Sequence, residues 1–254
     1  MGRIQEIESL SFCRHKVLPL IHEVADRHLR EEYTLEVKGQ GNFVTSTDKS
    51  IEKELIKGLK ALIPMSGVVA EESGADLSSD YNWIIDPIDG TTNYIYGFPY
   101  AISVALKYKD EVDAVLGAVY SPKINRTYYS CRGYGSYRIE ANETERLHVG
   151  TFPEGEGIAI FGMPYDRGKT EKILRIAGDY YQHCSDLKRI GPSSLDICAV
   201  AEGRAKLYFE LDLNIWDYAA GVLILTEAGG TFAQKDDLTL FGASEEVFSI
   251  IRGG

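Results

Sequence analysis

Two carboxylates stand three residues apart in Trp83-Ile84-Ile85-Asp86-Pro87-Ile88-Asp89-Gly90-Thr91-Thr92-Asn93. Oxygen ligands in such close order suit a hard cation, Mg²⁺ or Mn²⁺, rather than zinc or iron. Pro87 restricts Asp86 toward extended geometry, and Gly90 permits a tight turn. A helix beginning near Thr91 or Thr92 would aim free backbone N–H groups at an anion. Cations beside such a terminus make a phosphate site, so phosphate-ester chemistry is the first expectation. An Asp-Pro turn followed by an Asp-Gly turn would account for the same residues. Further acids extend the pattern. Glu71 and Glu72 follow the short apolar run Gly67-Val68-Val69-Ala70, and a solvated loop start would also explain them. Glu210 ends the strand Leu207-Tyr208-Phe209. Asp217 falls in the first turn of a helix opened by Asn214, where the dipole stabilises an anion.

These acids need elements to carry them to one place. Strand ends can do so across a sheet even when far apart in sequence. Residues 4 to 31 show helical spacing, with Pro19 expected to kink or divide the segment. Leu35 to Asn42, with Lys38 ahead of Gly39 and Gly41, reads as a mobile loop. Thr47 or Asp48 is the expected cap of a helix through Leu59, without a clean capping box. Gly74 to Asn82 reads as a polar loop. Strands follow at 101–108, from Val112 to Tyr120 after a turn at 109–111, at 126–130 and at 133–137, with Leu147 to Gly150 closing an antiparallel run rich in tyrosine. Gly155-Glu156-Gly157 marks a break, so the chain divides into parts 1–150 and 151–254. The second part reads as a strand at 158–161, a helix at 170–181, a brief strand at 187–190 and a helix from Gly191-Pro192-Ser193-Ser194. A strand at 207–210 and the helix after Asn214, ended by Gly229-Gly230, come next. Phe232, Leu238 to Phe241 and Val247 to Ile251 are the last short elements.

Composition narrows the function classes. The chain has 254 residues, 44% hydrophobic and 26% charged, which is enough for a sizeable core. With 38 acidic against 27 basic side chains its formal charge is -11, which argues against nucleic-acid partners. No run is long and apolar enough to span a membrane, and the N-terminus lacks a signal peptide's apolar segment. A cytoplasmic protein is expected. Cys13, Cys131, Cys184 and Cys198 form no CxxC pair, so buried reduced thiols are expected rather than a zinc site.

Three separated segments resemble the inositol monophosphatases, within the lithium-sensitive, magnesium-dependent sugar-phosphatase superfamily. The central match is Asp86 to Tyr94, extended by Gly97-Phe98-Pro99. The late match is Trp216-Asp217, Ala220-Gly221 and Glu227-Ala228-Gly229-Gly230. Val44 to Asp48, Glu71-Glu72-Ser73 and Gly191 to Leu195 support them. The resemblance covers nearly the whole chain and implies an α+β fold, the layered α-β-α-β-α sandwich, with the site between the two parts. It also implies a homodimer and inhibition by lithium.

The same resemblance implies two or three Mg²⁺ per site, with Mn²⁺ as an alternative. Glu71, Asp86 and the carbonyl of Ile88 would hold one, and Asp86, Asp89 and Asp217 a second. A third, weaker position would lie near Glu71, with Glu72, Thr91 and Asp48 around it. The implied reaction is in-line hydrolysis with no phosphoenzyme. Thr91, hydrogen-bonded to Asp48, would orient or deprotonate the water, or Glu72 would take that role. Amides of Gly90, Thr91 and Thr92 would hold phosphate oxygens. On the sugar side stand Asp89, Ser193, Ser194, Glu210 and a basic position aligned with Lys188 in preference to Arg189. Lys38 resembles a mobile-loop lysine. Departures from the family pattern are Asn42 where an acid is usual, the absence of an Asn-Gly turn in the middle sheet, and Pro192 after Gly191.

A small-molecule phosphate ester is therefore the expected partner, and hydrolysis of a myo-inositol monophosphate the expected activity. A fructose-1,6-bisphosphatase, a broad sugar-phosphate phosphatase, a 3'-phosphoadenosine phosphatase and a non-catalytic regulatory binding protein of the same fold are the alternatives.

Overall fold

The computed structural model describes residues 7–39, 41–76, 79–109 and 114–249. Several expectations fall outside that set. They are the start of the first helical stripe at Ile4, Gln40 of the glycine loop, and the turn and strand start at 110–113. Two residues of the 74–82 loop and the last segment beyond Ser249 are also outside it.

The first helical stripe changes its winding just ahead of Pro19 and is not divided there. A short turn, Leu10–Phe12, leads into a π-helical segment, Cys13–Val17, and then helix α1, Leu18–His28, with Pro19 in its first turn. The Leu18 amide donates to the Cys13 carbonyl, a wider ring than the α-helical one. Phe12, Val17 and Leu18 keep helical dihedrals, so the helix runs on, and the wider turn just ahead accommodates Pro19, which has no N–H to donate. The stretch expected as a mobile loop is instead a hairpin of β1, Leu35–Gly39, and β2, Asn42–Thr45. Helix α2, Ser46–Leu62, is capped by Thr45, and Thr45 and Asp48 form a capping box. The expected cap was placed two or three residues late, because Asp at the third helical position was not counted as a box partner.

Eight strands make the large sheet: β3 (Gly67–Ala70), β4 (Gly74–Asp76), β5 (Tyr81–Asp89), β6 (Ala101–Tyr108), β7 (Ala114–Ser121), β8 (Arg126–Cys131), β9 (Ser136–Glu140) and β10 (Glu143–Arg146). Their spatial order is β10-β9-β8-β7-β6-β5-β3-β4. β4 pairs with β3 in what read as a polar loop. β10, and not Leu147 to Gly150, closes the antiparallel run. Successive side chains face opposite sides of a strand. Trp83 and Ile85 therefore join Ile102, Val104 and Leu106 under α1 and α2, in a core with Cys13, Ile21, Ile51, Leu55 and Leu59. Ile84, Ala101, Ala105 and Val119 face the other way.

Against that second face lie α5, Ser193–Ala201, and α6, Ile215–Glu227. Close approach sets the residue types there. A Cβ on Gly117 of β7 would stand 2.8 Å from the Ala220 carbonyl oxygen of α6. A five-stranded sheet follows, ordered β12-β11-β13-β15-β14, from β11 (Ile158–Phe161), β12 (Asp186–Lys188), β13 (Leu207–Leu211), β14 (Thr231–Lys235) and β15 (Leu238–Gly242). α4, Thr170–Tyr181, covers its far face through Ile173, Ala177 and Tyr180. The short α3, Thr91–Tyr96, leaves the end of β5. A 3₁₀ turn, Glu245–Phe248, stands where the last element was expected. The layers run α-β-α-β-α. All four cysteines are free and buried.

Candidate active site

Strand β5 carries both central aspartates, and a fault in its register decides where they point. Asp86 pairs with Ser103 of β6, whereas Asp89 pairs with Ala101. Three steps along β5 thus match two along β6, so one residue is extra. Pro87 lies in this bulge and has no N–H to give the ladder. In a regular strand a spacing of three puts two side chains on opposite faces. The extra residue restores parity, and both acids turn toward α6. There Asp217 waits in the first helical turn. Oxygens of Asp86, Asp89 and Asp217 all lie within 4.8 Å of one another.

Each acid is held from its own side. Asp89 Oδ2 accepts the Ser194 amide at 2.7 Å, at the start of α5. Asp217 Oδ2 accepts the Asn214 amide at 2.6 Å, which closes the start of α6. Asp86 Oδ1 is buried with no hydrogen-bond partner among the described residues. An oxygen in that state calls for a group from outside the chain. Burial, and then the neighbouring acids Asp89, Glu71 and Asp217, push the Asp86 carboxyl well above its usual range. Burial lifts Asp89 to about 6, against the pull of the Ser194 and Ser193 hydrogen bonds. Asp217 is raised by burial and by Asp89. A divalent cation fits this donor set: crowded carboxylate oxygens, one of them orphaned, and no basic side chain paired to any of the three among the described residues.

Around this cluster the remaining predicted residues are arranged in three groups. Glu71 and Glu72 follow β3. Lys38 Nζ, on the hairpin, donates to Glu71 Oε1 at 3.3 Å and also to Glu72. Burial raises Glu71 to about 7, with Lys38 opposing. Glu72 does not line the central cavity, and its carboxylate is engaged by Lys38. The second group is Asp48 and Thr91. Thr91 Oγ1 donates to Asp48 Oδ1 at 3.0 Å and lies 3.2 Å from the Ile88 carbonyl. Asp48 Oδ2 accepts the Thr45 amide at 2.8 Å, so its orientation is fixed from α2. Gly90 caps α3 at φ 83, and a Cβ there would stand 2.8 Å from Pro192. Only glycine meets both demands. Gly90, Thr91 and Thr92 all line the cavity.

The third group faces the far wall. Glu210 accepts the Tyr208 hydroxyl, and Ser193 Oγ lies 3.4 Å from it. Burial lifts Glu210 to about 7. Ser194 is fully buried, and its amide serves the site through Asp89. Lys188 lies outside the cavity, paired with Asp186, while Arg189 lines it. Lys188 ends β12, and Arg189 opens the segment through Ser193 that forms this wall of the cavity. The cavity measures about 690 Å³, and Arg167, Tyr165 and Asp212 also line it.

Three participants were missed from the sequence. Arg189 was set aside for Lys188. Asp196 is buried, lines the cavity and accepts the Gly191 amide at 2.9 Å, which shapes the turn ahead of α5. Glu52 is buried in α2 and accepts from the Glu71-Glu72-Ser73 turn. Its signal was available, since it stands four residues after Asp48 on one helical face.

An acid cluster between two sheets of an α-β-α-β-α sandwich, with a helix start and a polar wall around it, defines a divalent-cation-dependent phosphatase. The chain belongs to the inositol monophosphatase family, whose model matches residues 7–246. It is 37% identical over 227 residues to the fructose-1,6-bisphosphatase/inositol-1-monophosphatase of Aquifex aeolicus, covering 86% of this chain and 80% of that protein. It is 40% identical over 207 residues to the putative Nus factor SuhB of Neisseria meningitidis serogroup B, covering 76% and 74%. Among solved structures, the suppressor protein suhB of Bartonella henselae superposes with a TM-score of 0.82 at 27% identity, over 93% and 97% of the two chains. An inositol monophosphatase from Anabaena sp. PCC 7120 gives 0.77 at 26%, over 91% and 89%. No helix among the described residues is long and apolar enough to cross a membrane.

Proposed function

We propose that this protein hydrolyses myo-inositol monophosphate to inositol and phosphate. The supporting observation is the orphaned Asp86 oxygen inside a three-acid cluster, beside the polar wall of Glu210 and Ser193. Glu71, Asp86, the Ile88 carbonyl, Asp89 and Asp217 would hold two or three Mg²⁺. Bound there, the ions supply Lewis-acid polarisation of the phosphate and a lowered pKa for water. The chain's own groups do the rest. Thr91 donates its hydroxyl hydrogen bond to Asp48, so its lone pairs are free to accept from the attacking water and aim it. Amides of Gly90, Thr91 and Thr92 hold the phosphate oxygens at the start of α3. Glu210 accepts from a polyol hydroxyl. Lys38 tempers the charge of Glu71 and Glu72. Parts 1–150 and 151–254 both supply ligands, so neither works alone. We further propose a cytoplasmic homodimer inhibited by lithium.

Arg167 and Arg189 line the same cavity, and no ion pair ties either one among the described residues. They favour, as a second reading, an ester with another anionic group, such as a sugar bisphosphate. The name Nus factor on several relatives favours a third, a role as a binding partner in place of catalysis or beside it.

Phosphate release separates these readings. The panel is inositol-1-phosphate, fructose-1,6-bisphosphate, 3'-phosphoadenosine-5'-phosphate and glycerol-2-phosphate, with Mg²⁺ or with EDTA. Inositol-1-phosphate is expected to give the highest kcat/KM, only with Mg²⁺, and millimolar LiCl to lower it in potassium-matched buffer. A bisphosphate winner transfers the case to the second reading. Folded, Mg²⁺-loaded protein that hydrolyses none of the four favours the third.

A further inference from the structure

Glu52 is 2% exposed and makes no ion pair among the described residues. Burying a carboxylate in that way is costly unless its oxygens are satisfied. Both are satisfied by one short turn. Oε2 accepts the Glu72 amide at 2.8 Å, and Oε1 accepts the Ser73 hydroxyl. That turn carries Glu71 and Glu72, whose carboxylates share the Lys38 ammonium.

Helical spacing makes the arrangement purposeful. Residues four apart lie on one face, one turn above the other. Asp48 on the first turn of α2 orients Thr91. Glu52 on the next turn grips the segment after β3. One helix face thus reaches two separate walls of the site with two buried acids. A Leu at position 52 would continue the apolar stripe of Ile51, Leu55 and Leu59 at no desolvation cost. A buried acid kept in that position is explained by what it holds.

We propose that Glu52 is a positioning residue for cation binding: by clamping the Glu72 amide and the Ser73 hydroxyl, it fixes the direction in which Glu71 presents its carboxylate beside Asp86. The inference rests on Glu71 being a cation ligand. Outer partners of metal ligands of this kind typically govern a roughly 10- to 100-fold range in metal affinity.

The test uses the full chain and three variants, with Mg²⁺ binding followed by calorimetry without ester and amide hydrogen exchange followed at residues 71–73. Glu52→Met keeps the bulk and removes both acceptors. It is expected to weaken Mg²⁺ binding about tenfold and to speed exchange at the Glu72 amide at least as much, while KM for the ester at saturating Mg²⁺ moves less than about twofold. Glu52→Gln returns one acceptor and is expected to recover most of both losses. Unchanged Mg²⁺ affinity in folded Glu52→Met overturns the proposal. So does an equal rise in KM and in the Mg²⁺ requirement, which marks general loosening. Should Glu52→Met not fold, Ser73→Ala removes one donor and leaves the acid in place. A shift in Mg²⁺ affinity in the same direction then supports the clamp, and no shift overturns it. Wild-type protein that binds no Mg²⁺ sinks the ligand role of Glu71, and with it this inference, whatever the exchange data show. Tight Mg²⁺ binding without ester hydrolysis sinks the phosphatase reading alone.

Discussion

Two of the places where this molecule buries carboxylates are treated in opposite ways. At the end of α5, Glu202 is almost fully buried beneath a ring of arginines. Arg138 Nη1 reaches it at 2.6 Å, Arg126 Nη1 at 4.0 Å, Arg204 pairs with the same carboxylate, and Tyr128 donates its hydroxyl at 3.2 Å. The charge is answered from within the chain. At the end of β5, Asp86, Asp89 and Asp217 crowd together with no basic side chain on any of them among the described residues. Backbone amides answer Asp89 and Asp217, and one oxygen of Asp86 is left over. The first arrangement is complete and holds the fold. The second is incomplete until a cation arrives, and that incompleteness is the mark of function.

The comparison breaks most sharply at Asp89. Asp89→Asn removes a ligand charge but also removes repulsion, so activity and stability should part company. Mg²⁺-dependent kcat/KM is expected to fall roughly a thousandfold, while the melting temperature in EDTA stays level or rises. Phosphate-release kinetics and a thermal melt check both halves. A protein that loses stability in EDTA as well would show that the cluster supports the fold.

Next in size is a pH effect with a definite sign. Glu71 stands at about 7 against an ordinary 4.5, and Asp89 at about 6 against 3.8. Both are raised in the folded state, so the folded chain binds more protons between the ordinary and raised values. Their contribution to stability is fully present below about pH 4 and is lost as pH rises through 6 to 7. Cation-free protein is therefore expected to lose roughly 5 kcal/mol between pH 4 and pH 7.5, about half from each acid. Saturating Mg²⁺ should cancel the slope, because cation binding favours the ionised acids. Denaturant midpoints at several pH values, with and without EDTA, measure it. A flat profile in EDTA would mean the acids are already compensated.

The smallest expected effect is at the satisfied acid. Glu202→Gln leaves three guanidinium groups around a neutral amide. Fully buried pairs lose about 3–5 kcal/mol when one partner is removed, and partial exposure of these arginines brings the expectation to about 2 kcal/mol. Activity per folded molecule should not change. A matching loss of activity would join the two regions that the geometry separates.

The two regions also differ in how far they are legible along the chain. The central acids come in a short run with their glycine, threonine and proline neighbours, so local spacing drew attention to Asp86 and Asp89, whereas only the ordered family resemblance singled out Glu71 and Asp217. The helices at 170–181 and 215–227 and most strands of the large sheet follow from apolar periodicity, because tertiary packing and local pattern agree there. The hairpin at 35–45 did not follow, since its first strand is exposed along its whole length and shows no apolar alternation. Arg189 was passed over for Lys188 because only the path of the chain beyond β12 decides which of two adjacent basic side chains reaches the cavity.

The sequence by itself determined the residue types that can hold a hard cation, the turn and helix starts that present them, and the family to which the chain belongs. Only the tertiary structure decided that they meet. Asp86 and Asp89 share a face because the ladder between β5 and β6 slips by one residue at Pro87, and no spacing along one strand announces a register set by its neighbour. Asp217 joins them because small residues let α6 lie close against β7. Glu52 acts on the Glu72 amide because α2 crosses the end of β3. Local chemistry is written in a few adjacent side chains, whereas convergence is the sum of many weak packing terms spread over the whole chain.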